Sequence, residues 1–161
     1  MTPLSRARLI AILTPTFLLG GALLSQYVFG LHPCEMCMWQ RWPHLAAILL
    51  ALIAIIAIIL RDTPSASKLF AALAALAILI SGGIGLFHAG VEYGWWQGLT
   101  ACSTTPVGGS TQDVLNSIMN TPLTRCDVAP WSLFGISLAG YNGILSLSAV
   151  IAIFALLKKA K

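Results

Sequence analysis

The stretch Pro33-Cys34-Glu35-Met36-Cys37-Met38-Trp39-Gln40-Arg41 lies between two long apolar runs, and how it is read decides the fold. Two thiols three positions apart either close into a disulfide or open into a dithiol. Flanked by apolar segments on both sides, they read as a redox centre at a membrane surface. Outward from this motif, charge-free runs cover Leu9 to Cys34, Trp42 to Leu60, Leu69 to Val91 and Val128 to Leu157. Each can supply the roughly 20 residues that cross a hydrocarbon core as a helix.

Composition agrees with that reading. The chain has 161 residues, 58% hydrophobic and 9% charged, against roughly 45–50% and 25% in soluble domains. It is expected to be a single integral membrane domain over residues 1–161. The fold class is all-α: a four-helix transmembrane bundle with spans at about 9–29, 42–60, 69–88 and 133–157. Outward loops are expected at about 30–41 and 89–131. The first span resembles a signal peptide, with a basic lead-in and Gly20-Gly21-Ala22, but its apolar run is longer than an h-region and no A-x-A site follows. It is read as a retained helix.

The formal charge of +4 is not a nucleic-acid signal, because of where the basic residues lie. Arg6, Arg8, Arg61, Lys68, Lys158, Lys159 and Lys161 fall at the two termini and in the turn after the second span, and only Arg41 and Arg125 fall in the other two loops. By the positive-inside rule, both termini are expected in the cytoplasm and the cysteine-bearing loops on the opposite side, which in a bacterium is the periplasm. Disulfides persist in that compartment.

Trp42-Pro43-His44 is expected to open the second span, with proline in the first turn. The third span ends in Ser81-Gly82-Gly83-Ile84-Gly85, small residues that admit a close neighbour. In the long second loop, Ser110-Thr111-Gln112-Asp113 followed by Val114, Leu115, Ile118 and Met119 predicts a short helix with a capping-box start. Its apolar face would lie either on the membrane surface or on the loop itself.

The C-x-x-C pair has four readings: redox couple, half of a zinc site, haem attachment or structural bridge. Haem attachment needs histidine after the second cysteine, and that position is Met38. Zinc needs two more ligands at knuckle-like spacing, and Cys102 and Cys126 form no second C-x-x-C. No metal site is therefore expected, and the redox couple leads over the structural bridge. Arg41 follows Cys37 by four positions, so if the second helix begins near Cys37 the two share a face, and a cation there would favour a thiolate. Glu35 should oppose the thiolate. Cys102 and Cys126 are the remaining pair, either exchanging electrons with the first or stapling the long loop; spacing does not choose their connectivity. Glu92 and His88 are candidate proton sources near membrane depth, with His44 ranked behind them.

These residues resemble the disulfide bond formation protein B (DsbB) family of the bacterial inner membrane. The resemblance rests on Pro33-Cys34-x-x-Cys37-x-x-x-Arg41 between the first two spans, on Cys102 and Cys126 in one long second loop, and on Trp131-Ser132-Leu133-Phe134-Gly135-Ile136-Ser137 with Asn142. It covers nearly the whole chain. Two departures are Glu35 and Met36 in place of two apolar residues, and a slightly closer loop pair.

The resemblance implies a membrane enzyme, a quinone-dependent protein thiol–disulfide oxidoreductase. Its cofactor would be ubiquinone or menaquinone, and its partner a thioredoxin-like, DsbA-type oxidase. Catalysis would fall to Cys34, Cys37, Cys102 and Cys126, and quinone binding to Cys37 and Arg41, with Glu92 and His88 nearby. A reduced partner would attack a Cys102–Cys126 disulfide at Cys102, and Cys126 would then open the Cys34–Cys37 bridge at Cys34. DsbA is already oxidising at about −120 mV, so only an acceptor of higher potential can drain it. Two other readings are a thiol oxidase of the vitamin K epoxide reductase type, in which the loop cysteines precede the C-x-x-C, and a non-enzymatic bundle with structural disulfides.

Overall fold

A computed structural model describes residues 1–59, 64–99, 110–112 and 124–160. Four long helices cross one another as a bundle: α1 (Pro3–Tyr27), α2 (Glu35–Ile59), α3 (Pro64–Glu92) and α4 (Leu138–Lys159). All four are long and apolar enough to span a membrane. This is the all-α architecture expected from the apolar runs. Between α3 and α4 lies a two-stranded hairpin, β1 (Ser132–Leu133) and β2 (Ile136–Ser137). Cys102 and most of the expected loop helix lie outside the described residues; within them, Thr111 and Gln112 are helical.

Packing is by small residues, as membrane helices require when lipid is as apolar as their side chains. The buried face of α1 is Ala7, Ala11 and Pro15, one residue per turn. Ala47, Ala51 and Ala54 do the same on α2, and Ala71, Ala74, Ala75 and Ile78 on α3. Where α3 meets α4 the backbones touch: a Cβ on Gly85 would stand 2.9 Å from the Ala139 carbonyl oxygen, and one on Gly143 would stand 2.5 Å from Leu86 Cδ2. The large apolar side chains instead face outward, among them Leu13, Phe17, Leu49, Ile56, Leu76, Ile80 and Ile151. In water that surface would be untenable; in lipid it is the solvated one.

Both ends of the bundle are tied. At one end Lys68 Nζ donates to the Ala160 carbonyl, joining the start of α3 to the end of α4. At the other, α3 stops at a Schellman motif. Gly94 takes φ 72°, its N–H bonds Val91 O at 3.0 Å, and Trp95 N–H bonds Gly90 O at 2.8 Å. The reversal lays Trp96 on Gly90, where Nε1 donates to Phe87 O at 2.9 Å and the indole stacks on Phe87. Tyr93 then holds the hairpin: its hydroxyl donates to Gly135 O at 3.0 Å and accepts from Ser137 N–H at 3.1 Å.

All four helices differ in their bounds from the expected spans, and two of the shifts bear on the site. Helix α2 begins at Glu35, not at Trp42, so Pro43 sits inside it. The proline deprives the Trp39 carbonyl of its partner, and Trp39 is exposed near the helix end where water can replace the bond. The fourth helix starts at Leu138, not at 133, because Phe134 and Gly135 take φ 51° and 77° and turn the chain back on itself. Positive φ at both loop positions is the geometry of a two-residue hairpin turn. Ser137 then caps α4, its Oγ accepting from Gly140 N–H at 3.1 Å.

Candidate redox site

Cys34 is the last residue before α2, and its sulfur accepts from Cys37 N–H at 3.3 Å, as a capping side chain would. The one-turn spacing brings the two sulfurs to 3.1 Å, with Cys34 donating to Cys37. That bond, followed by burial, pushes Cys34 from an ordinary 9.0 up to about 12, and His88 pulls the other way. The pair thus has two unlike members: Cys34, buried, keeps its proton and donates the hydrogen bond, and Cys37, half-buried, accepts it. Glu35 occupies the first turn of α2, where a carboxylate complements the positive end of the helix dipole. That placement gives it a local helical role the sequence did not suggest.

His88 and Glu92 come to the same cluster from the end of α3, one turn apart. His88 is 1% exposed, with Nε2 at 3.6 Å from Cys34 Sγ and 3.8 Å from Glu92 Oε1. Cys126 packs on the cluster as well. The ligating atoms of Cys34, His88 and Cys126 all lie within 4.8 Å of one another. No linear spacing announces that donor set, because its members come from three separate segments.

A buried chain of hydrogen bonds runs inward from His88. Gln40 Nε2 donates to Met36 O at 3.0 Å and lies 3.0 Å from His88 Nδ1, while Gln40 Oε1 accepts from Asn142 Nδ2 at 2.8 Å. Asn142 Nδ2 also faces the Ser81 carbonyl at 3.2 Å, and Asn142 Oδ1 accepts from Ser146 Oγ at 3.0 Å. His44 Nε2 completes the chain, 2.8 Å from Asn142 Oδ1. Ser81 Oγ braces it by donating to Gln40 O at 2.8 Å.

Backbone carbonyls accept only, so they fix every orientation in this chain. Met36 O fixes Gln40 with its nitrogen toward His88, leaving His88 Nδ1 as acceptor and Nε2 as the N–H aimed at Cys34 and Glu92. Ser81 O fixes Asn142 with its oxygen toward His44, so His44 Nε2 carries the proton.

On its other side, toward α1 and α4, the N-terminal part of α2 borders a cavity of about 450 Å³. The size falls in the ordinary range for small-molecule sites, roughly 300–1,000 Å³. Its walls are chiefly apolar, including Phe17, Leu18, Trp131 and Leu145, and its polar groups are few. Cys37, Gln40, Arg41 and His44 contribute one continuous face of α2, at i, i+3, i+4 and i+7. Arg41 donates to Gln26 Oε1 at 2.5 Å and to Ala22 O at 3.2 Å, which clamps it against α1. Two buried polar atoms of cavity-lining residues have no hydrogen-bond partner among the described residues, Arg41 Nε and His44 Nδ1.

The structure therefore brings Cys34, Cys37, Cys126, His88 and Glu92 into one cluster and sets Arg41 beside Cys37 on the cavity. Gln40, Ser81 and the central role of His44 were not singled out by sequence reasoning. The repeat 37, 40, 41, 44 was the available signal; His44 was placed at a helix start, where it would have been unremarkable.

A four-helix membrane protein with a buried, helix-capping dithiol beside an apolar cavity is the class that fold and site define. The chain belongs to the DsbB family: the family model described as "Disulfide bond formation protein DsbB" matches residues 5–157. Among relatives, it is 29% identical over 154 residues to disulfide bond formation protein B of Aromatoleum aromaticum, covering 88% of this chain and 86% of that protein. It is 26% identical over 151 residues to the protein of the same name from Marinobacter nauticus, covering 88% and 85%. An uncharacterized Rickettsia prowazekii protein, RP370, is 29% identical over 146 residues, covering 89% and 81%. No solved structure matches the chain. It is thus a multi-pass membrane protein of disulfide-bond formation, and family membership implies thiol–disulfide oxidoreductase activity.

Proposed function

We propose that this protein reoxidises a periplasmic, DsbA-type dithiol and delivers the electrons to a membrane quinone, with both chain termini in the cytoplasm. The observation that carries the reading is the position of Cys37. Its sulfur is 3.1 Å from Cys34 in the exchange cluster, and the same residue lines the cavity. One side chain is common to a protein-exchange site and a small-molecule site.

The partner's thiolate attacks Cys102 of a Cys102–Cys126 disulfide, forming one S–S bond and releasing Cys126. Cys126 attacks Cys34, opening the Cys34–Cys37 bridge and releasing Cys37; its packing beside Cys34 supports this step. The partner's second thiol then frees Cys102, and Cys102 resolves the Cys34–Cys126 bond to leave a Cys34–Cys37 dithiol. His88 Nε2–H, aimed at Cys34, stabilises charge on that sulfur as bonds exchange.

A quinone, when bound, supplies a sink for two electrons and two protons. The cavity fits it in size, in apolar lining and in the unpartnered Arg41 Nε–H, a donor suited to a carbonyl oxygen. Cys37 loses electrons as the Cys34–Cys37 disulfide re-forms, and Arg41 holds the acceptor's oxygen. The seven-to-two bias of basic residues supports the orientation.

Purified protein mixed with reduced DsbA-type partner and decylubiquinone should reduce the quinone, and Cys102→Ser should abolish transfer from the partner. Absence of quinone reduction by the unaltered protein would overturn the reading. Arg41→Met should raise the apparent KM for quinone by roughly 10–100-fold, the worth of one charged hydrogen bond, with partner exchange at Cys102 intact. An unchanged KM would reduce Arg41 to a clamp on α1.

A further inference from the structure

We infer that His44 is a catalytic residue, the general acid that gives a proton to the bound acceptor through its Nδ1; this rests on the quinone reading above and deepens it. Two observations independent of the cysteine motif carry it. His44 is 3% exposed and lines the cavity, yet its Nδ1 has no partner among the described residues. A buried imidazole nitrogen without a partner costs free energy unless a ligand or proton completes it. And the tautomer is forced: Ser81 O orients Asn142, and Asn142 Oδ1 takes the Nε2 proton. The nitrogen left over is the one whose protonation state can change without breaking the network.

Geometry pairs His44 with Arg41. Among the described residues, the cavity-lining ones with a buried, unpartnered polar atom are these two, on adjacent turns of one face. A quinone has two carbonyl oxygens, each an acceptor, and the imidazolium form of His44 supplies the second donor. After the proton leaves, the bare Nδ1 accepts a hydrogen bond from the hydroxyl it has made. Other titratable groups on the cavity are Cys37 and Arg41 on α2, Tyr141 on α4 and His32 in the first loop; its α1 lining residues carry none, and α3 does not line it.

The balance is simple. Two thiols and one quinone give one disulfide and one quinol. The two electrons leave sulfur as the S–S bond forms, the two thiol protons are released, and two protons reach the acceptor oxygens, one of them from His44 Nδ1. His44 regains its proton from the pool into which the thiols discharge theirs. Asn142, Ser81 and Ser146 are positioning residues in this scheme, since they act through the ring.

His44→Gln keeps an amide N–H for Asn142 and removes the titratable nitrogen. With the full-length protein, reduced DsbA-type partner and saturating decylubiquinone, kcat should fall by about 100-fold, within the range for general acids. The decline of kcat with rising pH expected of the unaltered protein should be absent from the variant, and quinone-free single-turnover exchange with the partner should stay unchanged. A kcat within twofold and an unaltered pH profile would overturn the inference. Should His44→Gln not fold, a ¹⁵N-histidine NMR pH titration of the unaltered, quinone-free protein decides: a His44 that titrates on Nδ1 and whose neutral form keeps its proton on Nε2 is expected, and a neutral form protonated on Nδ1, or a ring that does not titrate, overturns it. Failure of the unaltered protein to reduce decylubiquinone would instead strike the proposed function itself.

Discussion

The two halves of the bundle are built from different material. Toward the chain termini the buried residues are Ala7, Ala11, Ala47, Ala51, Ala74, Ala75 and Ile153, a dry interior with Ser67 bonded to the Ala54 carbonyl as its polar exception. Toward the cysteines they are Gln40, His44, Ser81, His88, Ser137, Asn142 and Ser146. Alanine packing achieves close helix contact with no polar group to satisfy. Polar side chains inside a membrane gain little: interhelical hydrogen bonds there average only about 0.6 kcal/mol. Scaffolding alone does not account for seven of them in one half. On the proposed reading, the contrast separates a half that holds the helices together from a half whose polar groups serve chemistry at the dithiol and cavity.

The strongest way to break that division is at the shared cysteine. On the proposed reading, Cys37→Ser removes the one thiol, among the described residues, common to cluster and cavity, and quinone reduction should fall at least about 1,000-fold, as for loss of a covalent-catalysis nucleophile. Thermal unfolding should be nearly unchanged, because serine is close in size. Residual turnover above a few per cent would show that electrons reach the cavity without Cys37.

The unlike members of the dithiol offer the next test. With Cys34 pushed up to about 12, its ionised fraction at pH 8 is on the order of 1 in 10⁴ by the usual logarithmic relation. Iodoacetamide should therefore mark Cys37 long before Cys34 in the reduced protein, as read by peptide mass spectrometry. The sign for stability follows. The folded protein holds this proton more tightly than the unfolded chain, so the stabilisation is complete below the ordinary 9.0 and is lost as pH rises toward about 12. Equal labelling of both cysteines at pH 8 would contradict the Cys34-to-Cys37 hydrogen bond.

How much of this was legible follows the same division. The alanine half could be read directly, because long charge-free runs identify spanning helices whatever they pack against. The motif Cys34-x-x-Cys37 could be read too, since its chemistry is contained in one helical turn. The polar network could not. Gln40 and Ser81 are 41 positions apart, and Ser81 and Asn142 are 61 apart, so nothing local distinguishes them from polar residues at a helix end. His44 was misjudged for a backbone reason: Pro43 looks like a helix start, and only with α2 extended back to Glu35 does His44 fall two turns beyond Cys37 on the same face. The hairpin at residues 132–137 escaped because Phe134 is an uncommon residue at φ 51°.

The central residue of the network gives an intermediate effect. Asn142→Leu leaves Gln40 Oε1, His44 Nε2 and Ser146 Oγ without their present partner. Each buried polar group so exposed carries a penalty of roughly 1–3 kcal/mol in water-soluble proteins and less in membranes. Stability should drop by about 1–2 kcal/mol, while kcat with quinone drops by roughly 10-fold or more because His44 is no longer held. A loss of stability with normal kcat would make the network a structural device and erase the distinction between the halves.

The smallest effect on turnover should come from the alanine half. Ala75 is fully buried in the dry interior, so Ala75→Leu forces extra methyl groups between helices and should cost about 1–3 kcal/mol. Because Ala75 precedes the first network residue of α3, Ser81, by about 9 Å of helix and the site is fixed by its own hydrogen bonds, kcat per folded molecule should stay within about twofold, measured after normalising activity to the folded fraction. The two substitutions, Ala75→Leu and Asn142→Leu, thus damage stability by comparable amounts and should differ by about tenfold in turnover. If Ala75→Leu lowers kcat as much as Asn142→Leu does, helix spacing throughout the bundle sets the geometry at the dithiol, and the two halves act as one unit.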